Sequence, residues 1–148
     1  MCTLRSCGIC FNGRVERVKQ LLWIGLGSGL GGALRYILDL VAQQVGFGSF
    51  SPSTLVINLT GSLLIGWLAG HWATEGAIAP HPHRFHFWVT GFCGGYTTFS
   101  TFTWQVIELV NNGEGQLAGF YAAASFGFGL VAVWLGLSLA VRGRIVKS

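Results

Sequence analysis

The sequence predicts an all-α integral membrane protein of four transmembrane helices, with the third helix broken. Three observations carry that prediction. Of 148 residues, 51% are hydrophobic and only 9% are charged, against about 25% charged in a soluble domain. The charges are also segregated: Thr54–Ala73, Phe85–Ile107 and Leu117–Val141 contain no Asp, Glu, Lys or Arg. A helix needs roughly 20 apolar residues to cross the hydrocarbon core, and each of these stretches suffices. Finally, Gly94-Gly95 followed by a run of hydroxyl residues interrupts the third stretch.

Each element follows in order. Residues 1–18 are expected to be a disordered N-terminal extension, and residues 19–148 one four-helix transmembrane domain. The first span, about 20–45, carries Arg35 and Asp39 in its second half. It follows a basic stretch as a signal peptide would, but it is too long for an apolar signal region and no Ala-x-Ala site follows. The second span covers about 53–74, the third about 85–111 and the fourth about 116–142. Short connections hold Gly46, Gly48 and Pro52, and Asn112-Gly113-Glu114-Gly115. No period-two alternation suggests a membrane barrel. In lipid every backbone group needs a partner, so the spans are read as helices.

Eight of the nine Lys and Arg residues lie outside the spans. All eight, Arg5, Arg14, Arg17, Lys19, Arg84, Arg142, Arg144 and Lys147, fall on the side that holds both termini. The positive-inside rule places that side in the cytoplasm. The net charge of +4 therefore reports orientation, not nucleic-acid binding.

Cys7 and Cys10 form a lone C-x-x-C in the extension, and His81, His83 and His86 cluster near Pro80 and Pro82. The first is read as a non-functional tail feature and the second as a solvated turn. No Ser/His/Asp set or metal-ligand spacing lies within the spans, so the chain is not read as an enzyme. Nor does any acidic residue sit at mid-span, which disfavours cation coupling, where a buried carboxylate takes up the ion.

The spans carry neutral polar groups instead: Asn58, Thr60 and Ser62; Thr97, Thr98, Ser100, Thr101 and Thr103; Tyr121 and Ser125. Amide and hydroxyl groups donate hydrogen bonds to an anion without neutralising it, and rapid conduction requires only moderate binding. Phe99 and Phe102, three apart, share a helix face, and aromatic edges carry partial positive charge. A break at residues 94–98 frees backbone carbonyls at mid-membrane, the arrangement that broken membrane helices use to hold Na⁺. Arg35 lies about 20 Å along the first helix from Leu21 at 1.5 Å per residue, near its outer end, with Asp39 four residues on as a pairing candidate. Gly25-x-x-x-Gly29, Gly27-x-x-x-Gly31 and Gly66-x-x-x-Gly70 are read as helix-packing stripes.

Gly31-Gly32-Ala33-Leu34-Arg35-Tyr36, then residues 54–62 (TLVINLTGS), then residues 91–102 (GFCGGYTTFSTF), resemble the signatures of the Fluc/CrcB family of bacterial fluoride channels. The match covers about Lys19 to Arg142. The resemblance implies a passive fluoride-specific ion channel in the bacterial inner membrane, exporting fluoride and relieving its toxicity. It implies an antiparallel dual-topology dimer with two pores in membrane lipid. Fluoride would meet Asn58, Phe99, Thr101, Phe102, Tyr121 and Ser125, with Arg35 at a vestibule. Carbonyls of Gly94 and Thr97 from both subunits would hold a structural sodium ion. Gly129 stands where some members extend the polar track with a hydroxyl. Dual insertion requires nearly balanced flanking charge, so the one-sided Lys and Arg leave two partners open, a second copy or an oppositely oriented paralogue. The competing function is a small dual-topology multidrug transporter, which wants a Glu embedded in its first helix, where this chain has none. A non-conducting structural subunit is a third.

Overall fold

In a computed structural model, residues 4–44, 52–73 and 82–145 are described, and all the regular structure among them is helical. Helix α1 is Leu4–Gln44 and α2 is Ser53–Ala73. The third rod begins as α3 (Pro82–Phe85), loosens into a π-helical stretch (His86–Cys93) and closes as α4 (Gly94–Tyr96). Thr97 and Thr98 are extended, and α5 (Phe99–Asn111) and α6 (Gly115–Ile145) follow. Val15–Gln44, Ser53–Trp72 and Gly115–Gly143 are each long and apolar enough to span a membrane. The third crossing is shared by two shorter pieces.

The break falls at Thr97–Thr98, within the predicted stretch. Helix α1 begins at Leu4 and so runs through part of the stretch expected as an extension over residues 1–18. Nothing between Leu4 and Lys19 stops a helix, and Lys19 pairs with Glu16 one turn back at 3.0 Å. Cys7 and Cys10 fall in these first turns, but their side chains lie outside the described residues, as do Cys2, His81, Glu75 and residues 45–51. Among the described residues no group of His, Cys, Asp or Glu is placed to hold a metal ion.

Two parallel helix pairs build the molecule. In the first, α1 lies along residues 82–96. A Cβ on Gly27 would strike the Phe87 carbonyl, one on Gly31 the Phe92 carbonyl, and one on Gly95 the Ser28 carbonyl. Ser28 Oγ adds a hydrogen bond to the Gly91 carbonyl at 3.3 Å. In the second pair α2 lies along α6, where a Cβ on Gly66 would strike the Val133 carbonyl and one on Gly136 the Leu63 carbonyl. Residue numbers rise together along both seams, so each pair runs parallel. The stripe Gly25/Gly29 has nothing within 4 Å of its would-be Cβ positions among the described residues.

The pairs join where α2 crosses the broken rod. Asn58 meets Thr98, Thr60 meets Tyr96, and Gly61 meets Thr97, so the numbers run in opposite directions and the contact is antiparallel. A small core of Phe102, Leu109, Ala118 and Tyr121 then fixes α5 to α6. The turn between them closes as a Schellman motif: Glu114 N–H donates to the Leu109 carbonyl (2.9 Å) and Gly113 N–H to that of Val110 (3.0 Å). Gly113 takes φ +81°, a conformation open to glycine without the Cβ penalty.

Candidate functional site

The break is a rerouting of hydrogen bonds, and Asn58 is at its centre. In a continuous helix the Thr98 N–H would bond the Gly94 carbonyl. It bonds Asn58 Oδ1 instead, at 2.9 Å, while Asn58 Nδ2 donates to the Thr98 carbonyl at 3.0 Å. One side-chain amide thus satisfies both backbone groups of an extended residue, as a neighbouring strand would. A carboxamide carries two N–H donors, so one remains beyond the bond to Thr98.

The Thr101 N–H, which would bond the Thr97 carbonyl, is likewise taken by Thr98 Oγ1 at 3.2 Å. Thr98 is therefore the N-cap of α5 and restarts the helix. Its hydroxyl also lies 3.1 Å from those of Ser100 and Thr101. Thr97 ends the preceding rod by bonding back to the Cys93 carbonyl through both its N–H (3.0 Å) and its hydroxyl (2.9 Å). The net effect is to release carbonyls at the break, those of Gly94 and Thr97 among them, from their α-helical partners. Carbonyl oxygens are hard donors suited to a hard cation. Gly94 is exposed and has nothing within 4 Å of its would-be Cβ, so that side of the break is open. Two such carbonyls are part of the oxygen set that a sodium ion takes.

An open cavity of about 570 Å³ lies over the break, lined among others by Asn58, Ser62, Gly94, Thr97, Thr98 and Phe99. No charged residue lines it. The two phenylalanines predicted to act together have different settings. Phe99 is 70% exposed at the cavity, whereas Phe102 is 8% exposed. Phe102 packs against Tyr121 at 5.4 Å between ring centroids and meets Phe126 edge-on at 5.6 Å. The rings of Phe99 and Phe102 are 5.7 Å apart.

Tyr121 is 3% exposed and its hydroxyl donates to Gln105 Oε1 at 2.7 Å. Ser125, one turn on, has a buried Oγ near that hydroxyl but with no hydrogen bond of acceptable geometry. The structure thus brings Asn58, Thr101, Phe102, Tyr121 and Ser125 to the contact of α2, α5 and α6, with Phe99 at its open edge. Arg35 stands apart on α1. Its Nη1 is 4.0 Å from Asp39 Oδ2, a long ion pair, and its Nε is buried without a partner among the described residues. Asp39 Oδ1 accepts from Ser53 Oγ at 2.9 Å and ties α1 to the start of α2.

Sequence reasoning overlooked Gln105. A lone amide one turn beyond Thr101 in an apolar span was the available signal, because a buried amide needs a partner. Ser28 was overlooked too, and nothing in its neighbours marks it.

The family described as CrcB-like protein, Camphor Resistance (CrcB), matches residues 22–137. Among curated proteins the chain is 39% identical over 123 residues to "Fluoride-specific ion channel FluC" of Flavobacterium psychrophilum, covering 83% of this chain and 98% of that protein. It is 44% identical over 128 residues to the protein of that name in Methylocella silvestris, covering 86% and 97%. The one in Opitutus terrae is 43% identical over 128 residues, covering 86% and 96%.

Proposed function

Because the chain belongs to the CrcB-like family, we propose that it is a fluoride-specific ion channel that lets fluoride leave the cytoplasm down its electrochemical gradient. It is a multi-pass membrane protein and not an enzyme. The observation that carries this reading is the near full-length similarity to proteins named for that activity. The architecture supports it independently: the cavity at the break is uncharged and rich in neutral hydrogen-bond donors.

Fluoride is small, hard and tightly hydrated. To pass, it exchanges water for protein donors that hold it only moderately. Asn58 offers the amide N–H beyond its bond to Thr98, and Thr101 and Ser125 offer hydroxyls; Tyr121 continues the track only when its proton turns away from Gln105 Oε1. The edges of Phe99 and Phe102 offer weak positive charge without a proton to lose. Arg35, at the start of the α1–α2 contact, raises the anion concentration at the mouth. Fluoride enters acid-exposed cells as neutral HF and ionises inside, so a passive channel suffices to lower the internal load.

The active unit is an antiparallel dimer, of this chain with itself or with an oppositely oriented paralogue. A structural sodium ion is held by the Gly94 and Thr97 carbonyls. Two carbonyls are fewer than a hard cation takes, and a second chain bringing the same pair to the same point completes the set. The exposure of Phe99 and Gly94 beside the break is what such an arrangement needs. The ion fixes the break; it is not transported.

The test is fluoride efflux from liposomes holding only this protein. Rapid fluoride loss with no comparable chloride loss is expected. Chloride passing as readily as fluoride would sink the reading. Asn58→Asp puts a carboxylate oxygen against the Thr98 carbonyl and removes the donor, and efflux should fall at least about tenfold, the scale of one hydrogen bond to a charged group.

A further inference from the structure

Three contacts along the α2–α6 seam share one register: Ser62 with Gly129, Gly66 with Val133, and Gly70 with Leu137. The helices are parallel and step by four residues, so the same register one turn earlier sets Asn58 level with Ser125. Helix α6 therefore presents Tyr121, Ser125 and Gly129 in a line, and α2 presents Asn58 and Ser62 facing the last two levels.

At the first level both helices supply a polar group. At the second, α6 has no side chain. The Ser62 hydroxyl oxygen lies 3.9 Å from the point where a Cβ on Gly129 would sit, and Ser62 lines the same cavity as Asn58. The Ser62 hydroxyl is thus the group nearest the space that glycine leaves.

We propose that Ser62 supplies the hydroxyl step after Asn58 on the fluoride path, given from α2 in place of a missing donor on α6. This rests on the fluoride-channel reading. Asn58 and Ser62 are four residues apart, about 6 Å along the axis at 1.5 Å per residue. An anion leaving the amide meets the next donor within one helical turn. Gly129 is then a space-maker: a large side chain there would lie on the Ser62 hydroxyl and close the step.

The experiment moves the hydroxyl across the gap. Fluoride efflux is measured in liposomes for the wild type, Ser62→Ala, and Ser62→Ala with Gly129→Ser. A Cβ at Gly129 makes only ordinary contact, so the added serine fits. Ser62→Ala should slow efflux at least about tenfold, the scale of one hydrogen bond to a charged group. The double variant should recover most of the wild-type rate. Wild-type efflux in Ser62→Ala overturns the proposal. So does a double variant as slow as Ser62→Ala, because Ser62 then serves packing alone. A wild type that passes no fluoride would instead count against the channel reading itself, so the two failures are distinct.

Discussion

The two sides of the break in the third crossing are built on opposite principles. Residues 82–96 are held by backbone against backbone, with Gly27 of α1 against Phe87 and Gly91, Gly31 against Phe92, and Gly95 against Ser28, at distances no Cβ tolerates. Helix α5 is held by side chains: Phe102 and Leu109 lock into Ala118 and Tyr121 of α6, and Tyr121 bonds Gln105. The difference explains what each side can do. A glycine seam fixes the rod's position closely but offers no functional group. The α5 side is looser in backbone distance but presents rings and hydroxyls. The break lies between them, so rigid placement comes from one side and chemistry from the other.

Truncating a ring should damage the second side most. Phe102→Ala removes a buried ring packed on Tyr121 and Phe126, a change that costs about 3–5 kcal/mol in protein cores. Thermal unfolding in detergent should show a large drop in melting temperature. A stable Phe102→Ala protein would mean that this ring does not bear on the α5–α6 contact.

The backbone seam should be the next most sensitive. Gly95→Ala places a methyl group on the Ser28 carbonyl, under the 3.0 Å limit of real Cβ contacts. Backbone cannot swing aside as a side chain can, so overpacking of about 1–3 kcal/mol follows, and the break should shift with the rod. Gly119→Ala, on α6 beyond the break and with nothing within 4 Å of its would-be Cβ, is the control and should unfold near the wild-type temperature. Equal losses in the two would remove the distinction drawn between the two sides of the break.

The sequence made the break legible because both its causes are local: paired glycines weaken the helix and the following threonines supply a cap. The partner that heals it was not legible as such. Asn58 is forty residues from Thr98, and only the antiparallel crossing of α2 brings the amide onto the extended residue. The π-helical stretch over His86–Cys93 likewise has no signature in its residues; it faces Gly27 and Gly31, where the α1 seam runs. Phe99 and Phe102 read as one face, yet Phe102 reaches α6 and Phe99 does not. Spacing gives a face; what covers that face depends on another element.

A weaker effect probes the hydrogen bond at the centre of the side-chain half. Tyr121→Phe keeps the ring against Phe102 but leaves Gln105 Oε1 without its 2.7 Å donor. Losing one hydrogen bond costs about 0.5–1.5 kcal/mol, less than losing a buried ring. The melting temperature should drop less than in Phe102→Ala.

The smallest effect belongs to the glycines that the seam passes over. Gly25/Gly29 and Gly27/Gly31 are interleaved copies of one spacing on α1, and in sequence they are equivalent. Of these four, only Gly27 and Gly31 touch another backbone among the described residues. Gly29→Ala should therefore leave stability unchanged or raise it by up to about 1 kcal/mol, the helix preference of alanine over glycine, while Gly31→Ala should destabilise. Size-exclusion chromatography on both variants adds the decisive readout. If Gly29→Ala instead broke an assembly that the wild type forms, the open stripe would itself be a close-approach surface. The contrast between a spent glycine stripe and an idle one would then give way to two stripes used against two different neighbours.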